Sequence, residues 1–405
     1  MKVTVCKYLN ARKSAQIAAE CPLYRKPGDT LEISHVLTGT MIEGNAIWYR
    51  CSEDGNFYWS GGIMQTVELL QPAIPVSSFT QEQQLDIYIT AANELSADFA
   101  ARGGKGFKGL AVGYKSLNEI FTDELSLVFY VSEKDDNTMW PIPEKINHRG
   151  IALTTDVRKM RDIILHEATD AIEADEGPNY TMGGSLSEMI GGVAQGFGSR
   201  ASLVTRRDKY GEQLLLLACF HVACNALFKS GIFTLDNQNR KVSFPSPLRT
   251  KQEVSSLLSG TVVEGGYGPG YDYALIDIGQ AKLSNRLPDK VNFAGYYTMQ
   301  ELKTKFNKDK VLRKYGAKTL DSVGTFRTLH TTGRDLGKGI VMSGLIETSC
   351  MSDKGDSGAP VIDPENNFLV GYIIAGITKG KEIERCSFIL PFAALEFKFS
   401  IKPHT

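Results

Sequence analysis

Lys354-Gly355-Asp356-Ser357-Gly358-Ala359-Pro360 is the stretch on which the reading of this chain turns. A serine hydroxyl is almost fully protonated at neutral pH and attacks carbonyl carbons poorly. It becomes a nucleophile when a base takes its proton, a third group orients that base, and N–H donors meet the oxyanion that forms. Glycines on both sides of Ser357 let the backbone approach a bound molecule and turn N–H groups inward. The question is then whether a base and an orienter lie elsewhere in the chain.

Six histidines are present. His221 follows the apolar run Leu214-Leu215-Leu216-Leu217-Ala218-Cys219-Phe220 and continues as Val222-Ala223-Cys224. This pattern predicts a buried strand that ends in a histidine and passes into a short helical turn. Further on, Tyr271-Asp272-Tyr273-Ala274-Leu275-Ile276-Asp277 sets an acid at the start of an apolar strand. Ala274 and Ile276 alternate behind Asp272 as its anchors in the core, which favours it over Asp277.

These three segments together resemble the chymotrypsin/trypsin-like serine peptidases. Their nucleophile loop reads G-D-S-G-G-P, from which only Ala359 departs, and their acid lies in a D-x-A-L-h segment, h being apolar. The order His221, Asp272, Ser357 is also theirs, and not that of subtilisin or the α/β-hydrolases. The resemblance implies a mainly β chain with two six-stranded antiparallel β-barrels over residues 181–402 and the site in the cleft between them. It implies a serine endopeptidase acting on protein or peptide substrates, without cofactor or metal. His221 is then the base, Asp272 its orienter, Ser357 the nucleophile, and the N–H groups of Gly355 and Ser357 the oxyanion hole.

The same resemblance gives a substrate pocket. In the family the residue six before the serine lies at the pocket base, here Met351, and the strand after the nucleophile runs beside the substrate. Ile374, Ala375 and Gly376 belong to that strand, and with Met351 they imply a preference for apolar side chains. Ile374 stands where the family often has a serine near its aspartate, and a shifted alignment would bring Asp353 to the pocket instead. Met189-Ile190-Gly191-Gly192-Val193 is similar to the I-V-G-G end that secreted relatives pair with the aspartate before the nucleophile. Either cleavage before Ile190 activates the chain through Asp356, or the glycines make a turn and Asp356 is paired internally. The alternative to an enzyme is an inactive peptidase fold acting as a binding module.

Residues 1–70 carry short strand-like runs. Asp54-Gly55 between two aromatic runs is a hairpin signal. Leu9-Asn10-Ala11-Arg12, Trp48 to Cys51, and Trp59-Ser60-Gly61-Gly62 resemble a bacterial SH3-like domain, with Trp48, Tyr58 and Trp59 either its core or a groove for a peptide or glycan. Residues 71–79 read as a linker. Residues 80–180 read as a small α+β unit that looks like the segment ahead of the barrel in some bacterial trypsin-like peptidases. It starts on a helix with a Thr80–Gln83 capping box and Leu85, Tyr88 and Ala92 at helical spacing.

Composition is permissive. A net charge of −1 and a pI near 6.6 provide no attraction for nucleic acid or an anionic membrane. No apolar run approaches the roughly 18 residues of a membrane span. The start Met1-Lys2-Val3-Thr4-Val5-Cys6 reads as a strand rather than a signal core, and seven scattered cysteines point to reduced thiols in a cytoplasm. Cys219 and Cys224 are expected as buried thiols. His166-Glu167-Ala168-Thr169-Asp170 lacks the second histidine of a zinc motif, Gly265 to Gly270 reads as a loop shaping the cleft, and His330 is an alternative base.

Overall fold

The computed structural model describes residues 2–404 apart from 22, 43–44, 65–73, 104–105, 133–141, 161–162, 166–167, 169–181, 209–210, 237, 251, 289–290, 306, 333 and 337–338. It divides into two compact units, Met1–Phe79 with Trp140–Thr154, and Thr80–Met139 with Thr155–Thr405.

The first unit is built on a five-stranded antiparallel sheet in the order Phe57–Trp59, Asn45–Cys51, Thr30–Ile42, Lys2–Val5, Ile63–Met64. The Asp54-Gly55 signal corresponds to the turn before Phe57, with Gly55 at φ 68°, and the strands it joins pair Trp48 with Trp59 and Tyr49 with Tyr58. Alternation along Lys2–Val5 buries Val3 and Val5, which pack with Leu31, Ile33, Tyr49, Cys51, Tyr58 and Ile63. The Tyr58 hydroxyl donates to Asp54 Oδ2 at 2.6 Å and accepts from Arg25 Nε at 3.1 Å.

The second unit begins with the helix Gln81–Gly103. Its capping box is formed: the Thr80 N–H donates to Gln83 Oε1 at 3.0 Å and the Gln83 N–H to Thr80 Oγ1 at 3.3 Å. Leu85, Tyr88 and Ala92 are buried. The hairpin Phe107–Leu117 and Ile120–Val131 follows. Its first strand also pairs with Leu320–Thr332, Thr328 opposite Gly113, so residues 107–131 share a sheet with the barrel downstream. A Cβ at Gly113 would stand 2.6 Å from the Arg327 carbonyl, so glycine is what allows this pairing.

That barrel closes on itself. Val311–Gly316, Leu320–Thr332, Leu345–Ser349, Cys386–Pro391, Phe368–Ile377 and Pro360–Asp363 form a ring of six antiparallel strands, the last pairing with the first. A second antiparallel sheet runs Ser185–Ile190, Arg240–Phe244, Leu258–Gly268, Tyr271–Asp277, Gly211–Ala218, Ser202–Asp208. The short strand Gly198–Ser199 just before Ser202 folds back to pair with Ser185–Ile190. Leu215, Leu216, Leu217 and Ala218 are all fully buried, and each leucine contributes about 1.5–3 kcal/mol by leaving water. Burial on both faces is why that run shows no polar alternation. The glycine-rich stretch read as a loop is instead the end of a strand and a tight turn, Gly268 pairing with Tyr271 around Pro269-Gly270. Among the described residues no helix is long and apolar enough to cross a membrane.

Candidate active site

Three separate elements deliver the three expected side chains. The strand Gly211–Ala218 ends, Cys219 turns the chain, and the one-turn helix Phe220–Ala223 presents His221. Tyr271–Asp277 pairs with Gly211–Ala218, Ala274 opposite Ala218, which sets Asp272 beside that turn. Ser357 lies in the loop between Leu345–Ser349 and Pro360–Asp363. His221 Nδ1 is 2.5 Å from Asp272 Oδ2, and His221 Nε2 is 2.8 Å from Ser357 Oγ. All three residues are fully buried.

Further bonds hold this line. Asp272 Oδ1 accepts the N–H groups of Phe220 at 2.8 Å and His221 at 3.3 Å. With Oδ2 on Nδ1, the assigned tautomer carries its proton on Nδ1 and leaves Nε2 to accept from the serine. The backbone carbonyl of Asp272 accepts from the Tyr372 hydroxyl at 2.8 Å. No serine supports Asp272 from position 374. Cys219 is close instead, its sulfur within 4.8 Å of an Asp272 carboxylate oxygen and a ring nitrogen of His221, and burial, with Asp272 nearby, pushes its thiol pKa well up. The Ser357 hydroxyl also lies 3.1 Å from the Ile374 carbonyl.

The loop around Ser357 depends on backbone freedom at two glycines. Gly355 has φ 104° and Gly358 has φ 91°, and a Cβ at Gly358 would stand 2.0 Å from the Ser199 carbonyl. Ser199 joins both sides: its N–H donates to the Ser357 carbonyl at 2.6 Å and its hydroxyl to the Gly355 carbonyl at 3.1 Å. Among the described residues the N–H groups of Gly355 and Ser357 donate to no protein acceptor, leaving both for an incoming oxygen.

Asp356 is paired internally. Its carboxylate accepts from the N–H groups of Lys318, Thr319 and Asp353 and from the Thr319 hydroxyl. Lys314 Nζ stands 3.3 Å away, with both side chains fully buried. Burial opposes the Asp356 charge, but Lys314 and these hydrogen bonds hold its pKa below the ordinary carboxylate value. Ile190 is 41% exposed. It sits in a hairpin where Ile190 pairs with Val193 around Gly191 and Gly192, both at positive φ. The glycine-rich turn is therefore what the structure contains, and the carboxylate that a new N-terminus would reach already has a cation.

Met351 is buried, its sulfur 3.0 Å from where a Gly324 Cβ would be. Ala375 and Gly376 lie on the edge beside Ser357 and pair with Leu165 and Ile164. Asp353 is engaged with Asp356 in the turn. A cavity of about 380 Å³ is lined by Tyr130, Arg158, Glu347 and Cys386 among others, and by none of Met351, Ile374, Ala375 and Gly376. His330 Nε2 is bonded to Asn93 Oδ1 at 2.8 Å, and burial, then Lys303, lowers its pKa to about 4. His166, Glu167, Thr169 and Asp170 lie outside the described residues. All seven cysteines are free thiols.

In the first unit Trp48 and Tyr58 are buried, Trp48 donating from Nε1 to the Thr40 carbonyl at 2.9 Å, while Trp59 is half-buried. Tyr8 and Tyr24 are 69% and 56% exposed, with ring centres 5.9 Å apart. Neither tyrosine, nor Lys314, was singled out from the sequence. For Lys314 a signal existed: it occupies an inward position of a strand, between Leu312 and Gly316, where an apolar residue is expected.

No model of a known protein family matches this chain, and no curated protein matches it. Solved structures do. Thermobifida fusca protease A is 22% identical, covering 56% of this chain and 98% of its own, at a TM-score of 0.38. Cellulomonas bogoriensis chymotrypsin is 18% identical over 56% of this chain and 98% of its own, TM-score 0.37. Nocardiopsis protease is 18% identical over 56% of this chain and all of its own, TM-score 0.39.

Proposed function

We propose that the second unit is a serine endopeptidase in which Ser357 is the nucleophile, His221 the general base and acid, and Asp272 its orienter. The observation that carries this reading is the unbroken line Asp272–His221–Ser357, at 2.5 and 2.8 Å. His221 takes the Ser357 proton as Oγ attacks the acyl carbon. Asp272 stabilises the imidazolium, and the N–H groups of Gly355 and Ser357 receive the oxyanion. His221 then protonates the leaving amine, and water releases the acyl-enzyme. Met351 and Gly376 support an apolar side chain before the cut bond. The first unit is an SH3-like targeting module for a peptide or glycan, with the exposed Tyr8–Tyr24 pair as the supporting feature. The seven free thiols support a reducing compartment such as the cytoplasm.

A fluorophosphonate, which reacts with an activated serine, tests the enzyme reading. One adduct on the native chain, absent from Ser357→Ala, is the expected result. A folded protein that takes no adduct under any condition, including after the cleft is opened, would refute it.

A further inference from the structure

Two short ladders reach the reaction centre, and both belong to one segment of this chain. Ile164–Leu165 runs antiparallel to Phe368–Ile377, Ile164 opposite Gly376 and Leu165 opposite Ala375. Ala168 forms an antiparallel bridge with Phe197. Its N–H donates to the Phe197 carbonyl at 3.2 Å, and its carbonyl accepts from the Phe197 N–H at 2.7 Å.

Each ladder leads to Ser357 from its own side. The residue after Gly376 and Ala375 in that direction is Ile374, whose carbonyl lies 3.1 Å from Ser357 Oγ. Phe197 leads through Gly198 to Ser199, whose N–H donates to the Ser357 carbonyl. Phe197 also lies against the oxyanion loop, its ring 2.6 Å from where a Gly355 Cβ would be. Leu165 and Ala168 thus belong to two ladders that each lead to the nucleophile, and three residue steps of extended chain reach about 10 Å. Ser357 and His221 have no exposed surface, although an endopeptidase site must admit a peptide.

Resting on the peptidase reading above, we propose that the peptide joining Leu165 to Ala168 is the first substrate of Ser357, and that the protein cuts itself there. Of the three peptide bonds between Leu165 and Ala168, the middle one, between residues 166 and 167, leaves one residue on each side before its ladder and is the bond assigned to the cut. Ser357 Oγ attacks the carbonyl carbon of residue 166 and passes its proton to His221 Nε2. The C–N bond breaks, and His221 protonates the amine of residue 167, which becomes a new N-terminus. One water then hydrolyses the ester: one of its protons returns to Ser357 through His221, the other passes to solvent, and a carboxylate is left on residue 166. Residue 166 is a histidine, not the apolar side chain favoured for other substrates. A tethered peptide tolerates this mismatch because intramolecular presentation is equivalent to concentrations on the order of 10⁵ M or more.

The test follows the full-length chain by intact mass, with Ser357→Ala matched to it by thermal melting. The native chain should yield fragments 1–166 and 167–405, at a rate unchanged by tenfold dilution, while Ser357→Ala stays whole even when mixed with the native protein. Ile164→Pro, which removes an N–H from the first ladder, should cut at least tenfold more slowly, yet take up fluorophosphonate at least tenfold faster than the uncut native chain. An uncut native chain that labels freely would overturn the self-substrate proposal and leave the peptidase reading in place. So would an uncut, unlabelled native chain whose Ile164→Pro variant labels, since the segment would then be a plug. Cuts only outside residues 165–168, or cutting that scales with concentration, overturn it as well. No cut and no label in either protein overturns both readings.

Discussion

Lys314 and Asp356 form a fully buried ion pair, 3.3 Å apart, one residue before the serine. The pair ties the strand Val311–Gly316 to the loop that carries Gly355 and Ser357. Two buried charges tolerate each other but not solitude. Lys314→Met leaves Asp356 without its cation and should cost about 3–5 kcal/mol, read as a fall in the urea midpoint at unchanged slope. Lys314→Met with Asp356→Asn should recover part of that loss. A single variant as stable as the native protein would show that the hydrogen bonds to Asp356 suffice.

Asp272→Asn should keep the fold but disturb the tautomer of His221. By analogy with triads of this geometry, acylation of Ser357 should fall about 10⁴-fold, measured as the fluorophosphonate labelling rate. A drop below tenfold would mean that the imidazole keeps its tautomer and position without the carboxylate.

Gly358→Ala tests the nucleophile loop. An alanine there must adopt φ near 91° and meets the Ser199 carbonyl at 2.0 Å, so the backbone term alone costs about 1–3 kcal/mol. Labelling of Ser357 should drop with it, and thermal melting together with labelling separates the two effects.

Acid should weaken the first unit through Asp54. Burial works against its charge, but the Tyr58 hydroxyl, the Asn56 N–H and Arg25 outweigh it and lower the pKa to about 2. The folded state therefore binds this proton less readily than the unfolded chain, whose value is about 3.9. The stabilisation is complete above about pH 4 and is lost as pH falls through about 2. The stability difference between the native protein and Asp54→Asn should shrink over that window, and a difference independent of pH would count against the Arg25–Asp54–Tyr58 cluster.

Alkylation should separate the thiols. Cys21 is exposed, while Cys51, Cys219, Cys224 and Cys386 are buried, and burial raises the pKa of Cys219 and Cys224. Brief iodoacetamide treatment of the native protein should modify Cys21 ahead of those four. Early loss of Cys219 would mean that the surroundings of Asp272 open readily.

What could be read in advance follows from what is local. The capping box at Thr80 and Gln83, the Asp54-Gly55 turn and the buried run Leu215 to Ala218 are short-range patterns, because caps, turns and strand burial act over a few residues. Asp272 and Asp277 lie near the two ends of one strand that is buried at every position from Asp272 to Ile276, so burial alternation does not separate them; the exposure of Asp277 at the strand end does. Trp48 and Tyr58 show the limit: composition marks aromatics as important but does not say which side of a small sheet they face.

The sequence by itself determined the chemistry on offer: a glycine-flanked serine, a histidine at a strand end, an acid at a strand start, and their order. Only the tertiary structure decided what each group meets. Lys314 neutralises Asp356, Cys219 lies beside the Asp272 carboxylate, and Ile164, Leu165 and Ala168 pair with the strands that lead to Ser357. These are pairings between residues far apart in the chain, set by which strand edges and buried charges remain to be satisfied once the barrel closes. No local pattern carries that information, because a strand edge accepts any extended segment the fold brings within hydrogen-bonding reach.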